Sequence, residues 1–196
     1  PSAAAPDCHL LLEAMLLCIP RSALLHHAHH CLNPASSESA ESRQQVQAWM
    51  EQDGGSTARS AVSFAGRLLG VLREHKSVAP YEPMATALCV ITLWTYSRAT
   101  LENSDGHGQE RRRGVLRLDG FNDFNDKVSV SDWISGKSKK GAHLRDVGDI
   151  SRPGAPSRIL SVAIEHMREL KDCCLARELA IWLKRVQDRT AAMPSS

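Results

Sequence analysis

The stretch YEPMATALCVITLWTYS, Tyr81 to Ser97, is a long apolar run, and its secondary structure decides the fold. Two prolines, Pro80 and Pro83, stand at its entrance, and Trp94 and Tyr96 lie near its end. A proline in the first turn of a helix gives up only a backbone N–H that has no partner there, so Pro83 suits a helix start. From Met84 to Tyr96 the apolar residues occupy nearly every angular position about a helix axis. A helix that is apolar all round belongs inside a bundle. The β-branched residues Val90, Ile91, Thr92 and Thr95 keep a strand as the competing reading. The run exceeds ordinary strand length and follows a proline start, so a central core helix is expected. It is too short and too rich in threonine to span a membrane.

The flanking segments carry the periodicity that such a helix needs from its neighbours. Upstream, Ala58, Ala61, Val62, Ala65, Leu68, Leu69 and Leu72 recur at i, i+3, i+4 and i+7, while Arg59, Arg67, Arg73 and Glu74 fall off that face. Ser56 suits the N-cap of this helix. Small residues in its first half admit a close neighbour. An earlier helix from about Glu41 to Gln52, with Val46 and Trp49, is broken by DGGS at 53–56. Downstream, Pro156 opens a helix with Ile159, Leu160, Ala163, Ile164 and Met167 on one side. A last helix holds Leu175, Leu179, Trp182, Leu183 and Val186 in register. Residues 8–19 read as a helix stopped by Pro20, and 21–32 as a shorter one, followed by turn formers in NPASSES.

ENSDGHGQERRRG (102–114) reads as a long polar loop, and KSKKGAHLRDVGDISRPGAP (137–156) as another, anchored by Leu144 and Val147. In FNDFNDKVSVSDWISG (121–136) Asp132 is placed to cap a short helix holding Trp133 and Ile134. The fold expected is all-α: an irregular multi-helix bundle with long loops, its core built from helices near 57–75, 81–98, 156–171 and 174–188. No internal repeat or low-complexity tract is found.

Composition narrows the function classes. Apolar residues make up 42% and charged residues 23%, ordinary for a globular chain, and scarce aromatics with abundant Ala and Leu lean toward helix. A net charge of +2 is too small to imply a nucleic-acid partner. LLLEAMLLCI (10–19) has no cationic segment before it and contains Glu13, so it is not read as a secretory signal. The chain starts at Pro1 rather than Met, which suggests an excised piece. Six cysteines without regular spacing fit a reducing intracellular compartment better than a disulfide scaffold.

Several groups invite a chemical reading. His26, His27, His29, His30 and Cys31, with Cys18 upstream, include the i, i+4 pairs His26/His30 and His27/Cys31. A Cys2His2 finger needs a second cysteine near Cys18, which is absent, and there is no HExxH. A helix end with histidines favourable to its dipole is the plainer reading. Cys173 and Cys174, with His166 one to two turns earlier, read as buried small apolar residues rather than a catalytic thiol. Glu82 and Glu165 show no defensible pairing, and Asp119, Asp123 and Asp126 do not fit a calcium loop. Arg111, Arg112, Arg113, Arg117, Lys137, Lys139 and Lys140 read as solvated loop cations. No phosphate loop, dinucleotide fingerprint or GxSxG occurs. No catalytic, cofactor-binding or metal-ligating residue is therefore assigned.

In sequence order, ARSAVSFAGRLLGVLRE, YEPMATALCVITLWTYS, VLRLD, DWI, LRDVGDI, RIL and LARELAIWLKRVQ resemble the C-terminal part of the fungal-specific transcription factor regulatory domain, as found in fungal Cys2His2 zinc-finger regulators. The resemblance covers roughly residues 44–190. It implies an N-terminal helical segment and linker at 1–43, a helical regulatory domain at 44–190 that is the C-terminal part of a larger domain, and a tail at 191–196. It further implies a nuclear, non-enzymatic module of an RNA polymerase II transcription factor. DNA binding and zinc would belong to a finger module outside these residues, with no cofactor in this chain. Partners would be other transcription proteins or a small effector, with no membrane and no specific DNA binding by this piece alone. The alternatives are a metal-assisted or thiol enzyme using the His/Cys-rich helices, and a helical adaptor unrelated to transcription.

Overall fold

A computed structural model of the chain describes residues 4–30, 38–74, 80–103, 114–120, 124–170 and 173–192. They form helices α1 (Ala4–Cys18), α2 (Arg21–His30), α3 (Glu38–Glu51), α4 (Ser56–Glu74), α5 (Glu82–Glu102), α6 (Phe124–Ile134), α7 (Ala155–Glu169) and α8 (Cys174–Ala192). Three short strands accompany them: β1 (Val115–Arg117), β2 (Gly141–Leu144) and β3 (Gly148–Asp149). The fold is an all-α multi-helix bundle. No single helix among the described residues is long and apolar enough to cross a membrane.

α5 is the axis of the bundle. Pro83 sits in its first turn, and Cys89 to Thr95 are all buried. Burying Thr92 inside a helix is tolerable because its hydroxyl donates back to the Leu88 carbonyl at 2.8 Å. α4 and α7 pack directly against α5, and α2, α3 and α8 also touch it. α1 lies on α4 and α8 lies on α7, completing the outer layer. Met15 of α1 belongs to the same buried cluster as Trp94 of α5. The expected faces of α4 and α7 are buried residue for residue, from Ala58 to Leu72 and from Ile159 to Met167.

Three details depart from the sequence reading. The first is α8, whose buried stripe is Ala176, Ala180, Leu183 and Val186, whereas Leu175 is exposed and Leu179 and Trp182 are half-buried. The small alanines let α8 lie close to α7, and this turns the larger side chains toward the edge of the contact. The second is α6, which begins earlier than expected, so Trp133 and Ile134 end that helix instead of following a cap at Asp132. The third is a sheet of order β1-β2-β3, whose β2 and β3 lie where a loop was expected.

β1 runs parallel to β2, pairing Val115 with Gly141 and Arg117 with His143, and β2 runs antiparallel to β3. α6 supplies the crossover that a parallel pair requires. The β2–β3 turn places Asp146 at φ +60° and Gly148 at φ +83°. The residue after β1, Leu118, donates its N–H to the His143 carbonyl at 2.9 Å.

This sheet lies against α4, and two glycines allow it. A Cβ on Gly66 would come 2.7 Å from Cβ of Leu118, and one on Gly70 would come 2.7 Å from the Asp119 carbonyl oxygen. Leu116, Leu118, Ala142 and Leu144 are buried there. Farther along, the Ser97 hydroxyl of α5 donates to the Ile150 carbonyl, and Ile150 is fully buried.

Candidate functional site

Of the described histidine side chains in the HHAHH run, α2 puts two outside and one inside. His26 and His29 are exposed, while His27 is buried with its ring 5.8 Å from that of Trp94. The side chain of His30, and Cys31 altogether, lie outside the described residues, as do Arg111, Arg112 and Arg113 and residues 193–196 of the tail. Cys18 is half-buried at the end of α1, and its backbone carbonyl accepts a 2.8 Å hydrogen bond from the Trp49 indole. Among the described residues no three His, Cys, Asp or Glu side chains come together as a metal site.

The described cysteines are free thiols in different settings. Cys89 is fully buried on α5, where its thiol lies 3.9 Å from the Met15 sulfur. Burial pushes its pKa well up, and burial also raises that of Cys18. Such a thiol stays protonated and is a poor nucleophile at neutral pH. The pair at 173–174 differs from the buried apolar role expected of it: Cys173 is half-buried and Cys174, the first residue of α8, is exposed.

His166 takes a partner that the linear spacing hid. Its Nε2 lies 3.5 Å from Oε1 of Glu82, and the two side chains are only 5% and 1% exposed. Glu82 is in the first turn of α5, where the helix dipole favours an anion, and His166 is in the last turn of α7, where it favours a cation. The sequence did hold a signal. His166 follows Ile159 and Ala163 at i+7 and i+3, on the buried stripe of α7.

The middle of the chain is held by polar ties. Asp119 accepts a 2.6 Å hydrogen bond from the backbone N–H of Arg145, fixing the end of β1 to the turn after β2. Arg73 of α4 pairs with Asp146 in that turn. Arg59 donates to the Ile134 carbonyl at 2.8 Å and to the Gly54 carbonyl at 2.9 Å, joining α4 to the end of α6 and to the turn before α4. Lys137 and Lys139 are exposed, and Lys140 reaches the Ser129 hydroxyl at 3.1 Å. Asp119 and Arg117 are 3.7 Å apart. These residues brace the sheet and do not converge on a reacting centre.

An open groove of about 440 Å³ lies between the end of α7 and the outer side of α8. Met167, Leu170, Ala180 and Ile181 form its floor, and Arg168, Arg177, Lys184 and Arg185 stand around it. Ile181 is 43% exposed. Lys184 is paired with Asp188 at 2.9 Å. The side chains of Arg168, Arg177 and Arg185 make no hydrogen bond or ion pair with other described residues. The sequence pattern did not single these arginines out, since Arg168 lies on α7 and Arg177 and Arg185 on α8.

Over 121 residues, 60% of this chain, the sequence is 27% identical to a protein of Gibberella fujikuroi named "Transcription factor". The match spans 15% of that protein's length. No family model matches the chain, and no solved structure matches it.

Proposed function

We propose that the chain is a regulatory and protein-interaction module of a fungal RNA polymerase II transcription factor, working in the nucleus. The observation that carries this reading is the 27% identity with the Gibberella fujikuroi transcription factor over 60% of the chain. The ordered phrases from ARSAVSFAGRLLGVLRE to LARELAIWLKRVQ support the finer assignment, to the C-terminal part of the fungal-specific regulatory domain. In this reading a zinc-finger module elsewhere in the protein holds the zinc and finds the DNA, and the helical body holds no cofactor of its own.

The geometry supports contact over catalysis. Glu82 and His166 face each other inside the core with 1% and 5% exposure, out of reach of a substrate. Cys89 is fully buried. The groove between α7 and α8 is open enough for a ligand to lie on. A general acid or nucleophile must instead reach the atom it acts on.

Fusion of residues 1–196 to a heterologous DNA-binding domain in a fungal reporter strain tests the proposal. The expected result is reporter output that differs from the DNA-binding domain alone, in either direction. Output indistinguishable from that control, with the fusion shown by imaging to be in the nucleus, overturns it.

A further inference from the structure

The groove between α7 and α8 combines two features that a merely solvated surface does not need. On α8, Arg177, Ile181, Lys184 and Arg185 stand at i, i+4, i+7 and i+8, so they share one face over a rise of about 12 Å. Arg168 faces them from the last turn of α7. Three of these four cations, Arg168, Arg177 and Arg185, make no side-chain hydrogen bond or ion pair with other described residues. Beneath them, Leu170 and Ile181 offer an apolar floor backed by the buried Met167.

We propose that this groove docks an acidic amphipathic helix of a partner protein. Apolar side chains on one face of that helix seat on Ile181 and Leu170. Carboxylates flanking that face pair with Arg168 on one side and with Arg177 and Arg185 on the other. Guanidinium suits this role, because its planar fork binds a carboxylate through two parallel hydrogen bonds. Seating an amphipathic helix on an apolar strip is an established mode of peptide recognition.

The floor distinguishes this occupant from others. Duplex phosphates would satisfy the three arginines but leave Ile181 and Leu170 in water. A small carboxylate would stay largely solvated in so open a groove, whereas small-molecule sites bury most of their ligand. A helix covers both the apolar strip and the charged rim. This assignment deepens the transcriptional reading and rests on it only for the identity of the protein that supplies the helix.

The test uses the full chain and a fluorescein-labelled synthetic peptide of about sixteen residues, roughly 24 Å of helix. The peptide carries Leu and Phe on one face and Glu and Asp on the others, and binding is read by fluorescence anisotropy. A scrambled peptide of the same composition and a labelled DNA duplex serve as comparators. The amphipathic peptide is expected to saturate, to bind roughly tenfold tighter than the scrambled one, and to weaken as salt is raised. Arg177→Glu with Arg185→Glu, and separately Ile181→Asp, are each expected to weaken it roughly tenfold. Ile181→Ser is the milder companion, and circular dichroism melting checks that each variant keeps its fold. Binding that is absent, that is equal for the scrambled peptide, or that survives both kinds of variant overturns the assignment. So does a duplex that competes fully with the peptide and ignores Ile181→Asp. A silent groove beside a responsive reporter removes the docking site and keeps the transcriptional role. Peptide binding beside a silent reporter does the reverse.

Discussion

Gly70→Ala asks whether the small sheet truly lies against α4. In an isolated helix this substitution stabilises by about 1 kcal/mol, because glycine loses more backbone freedom on folding than alanine does. Here the new Cβ would stand 2.7 Å from the Asp119 carbonyl oxygen and 3.3 Å from its carbonyl carbon. Reaching an ordinary contact near 3.4 Å requires a retreat of roughly 0.7 Å. The obstacle is backbone, and it cannot swing aside as a flexible side chain would. Asp119 is also held by the 2.6 Å hydrogen bond from Arg145, so moving it disturbs the turn that pairs with Arg73. Overpacking of this kind costs about 1–3 kcal/mol, and its upper half outweighs the gain in helix propensity. The expected net loss is about 1–2 kcal/mol, or a fall in Tm of roughly 2–8 °C for a chain of this size. Gly70→Val, which lacks the propensity gain and adds two methyl groups, should fall further. The assay is thermal and urea unfolding followed by circular dichroism. A Gly70→Ala protein as stable as the parent, or more so, would show that β1 does not approach α4 at this point.

Two further predictions concern groups inside the bundle. Replacing Glu82 by Leu should cost about 3–5 kcal/mol, since it removes the carboxylate that faces His166 in a buried site, and adding His166→Leu should recover at least about 1 kcal/mol of that loss; strictly additive costs in urea titrations would mean that the two side chains are not coupled. In thiol labelling of the native protein, Cys174 should react promptly while Cys89 reacts only after denaturant is added. Burial raises the Cys89 pKa, so its neutral form is the one the fold favours. That contribution is complete below the ordinary thiol range and fades as pH climbs above about 8.5. Labelling of Cys89 in step with Cys174 would contradict its place in the core.

The parts of the fold that could be read from the sequence are those in which one period ran long enough to be counted. α4 announces its face from Ala58 to Leu72, and α5 is marked by a run with no polar side. α8 also had a period, and Leu183 and Val186 are buried as it indicated, but Leu175, Leu179 and Trp182 lie at or beyond the edge of the buried stripe. Burial there followed the alanines that let two helices meet closely, and side-chain size alone could not show it. The sheet escaped because its strands have three, four and two residues, too short for alternation to emerge, and its parallel pair is separated by a whole helix. The Glu82–His166 contact joins residues distant in the chain, and only the buried stripe of α7 hinted that His166 would point inward. The groove was invisible for a different reason. Arg168 and Arg177 belong to different helices, and a rim exists only once α7 and α8 have packed.

The central position of α5 also governs how the chain is made. The helices that pack directly on it come from both sides of it in sequence, α4 before it and α7 after it. On the ribosome α4 is ready when α5 emerges, but the end of α7 follows the end of α5 by about 67 residues, or roughly 3–13 seconds of synthesis. For that interval a helix with no polar side has one flank bare. A nascent chain halted between Glu102 and Glu169 should therefore bind chaperones that hold apolar segments, and release them once α7 has been translated.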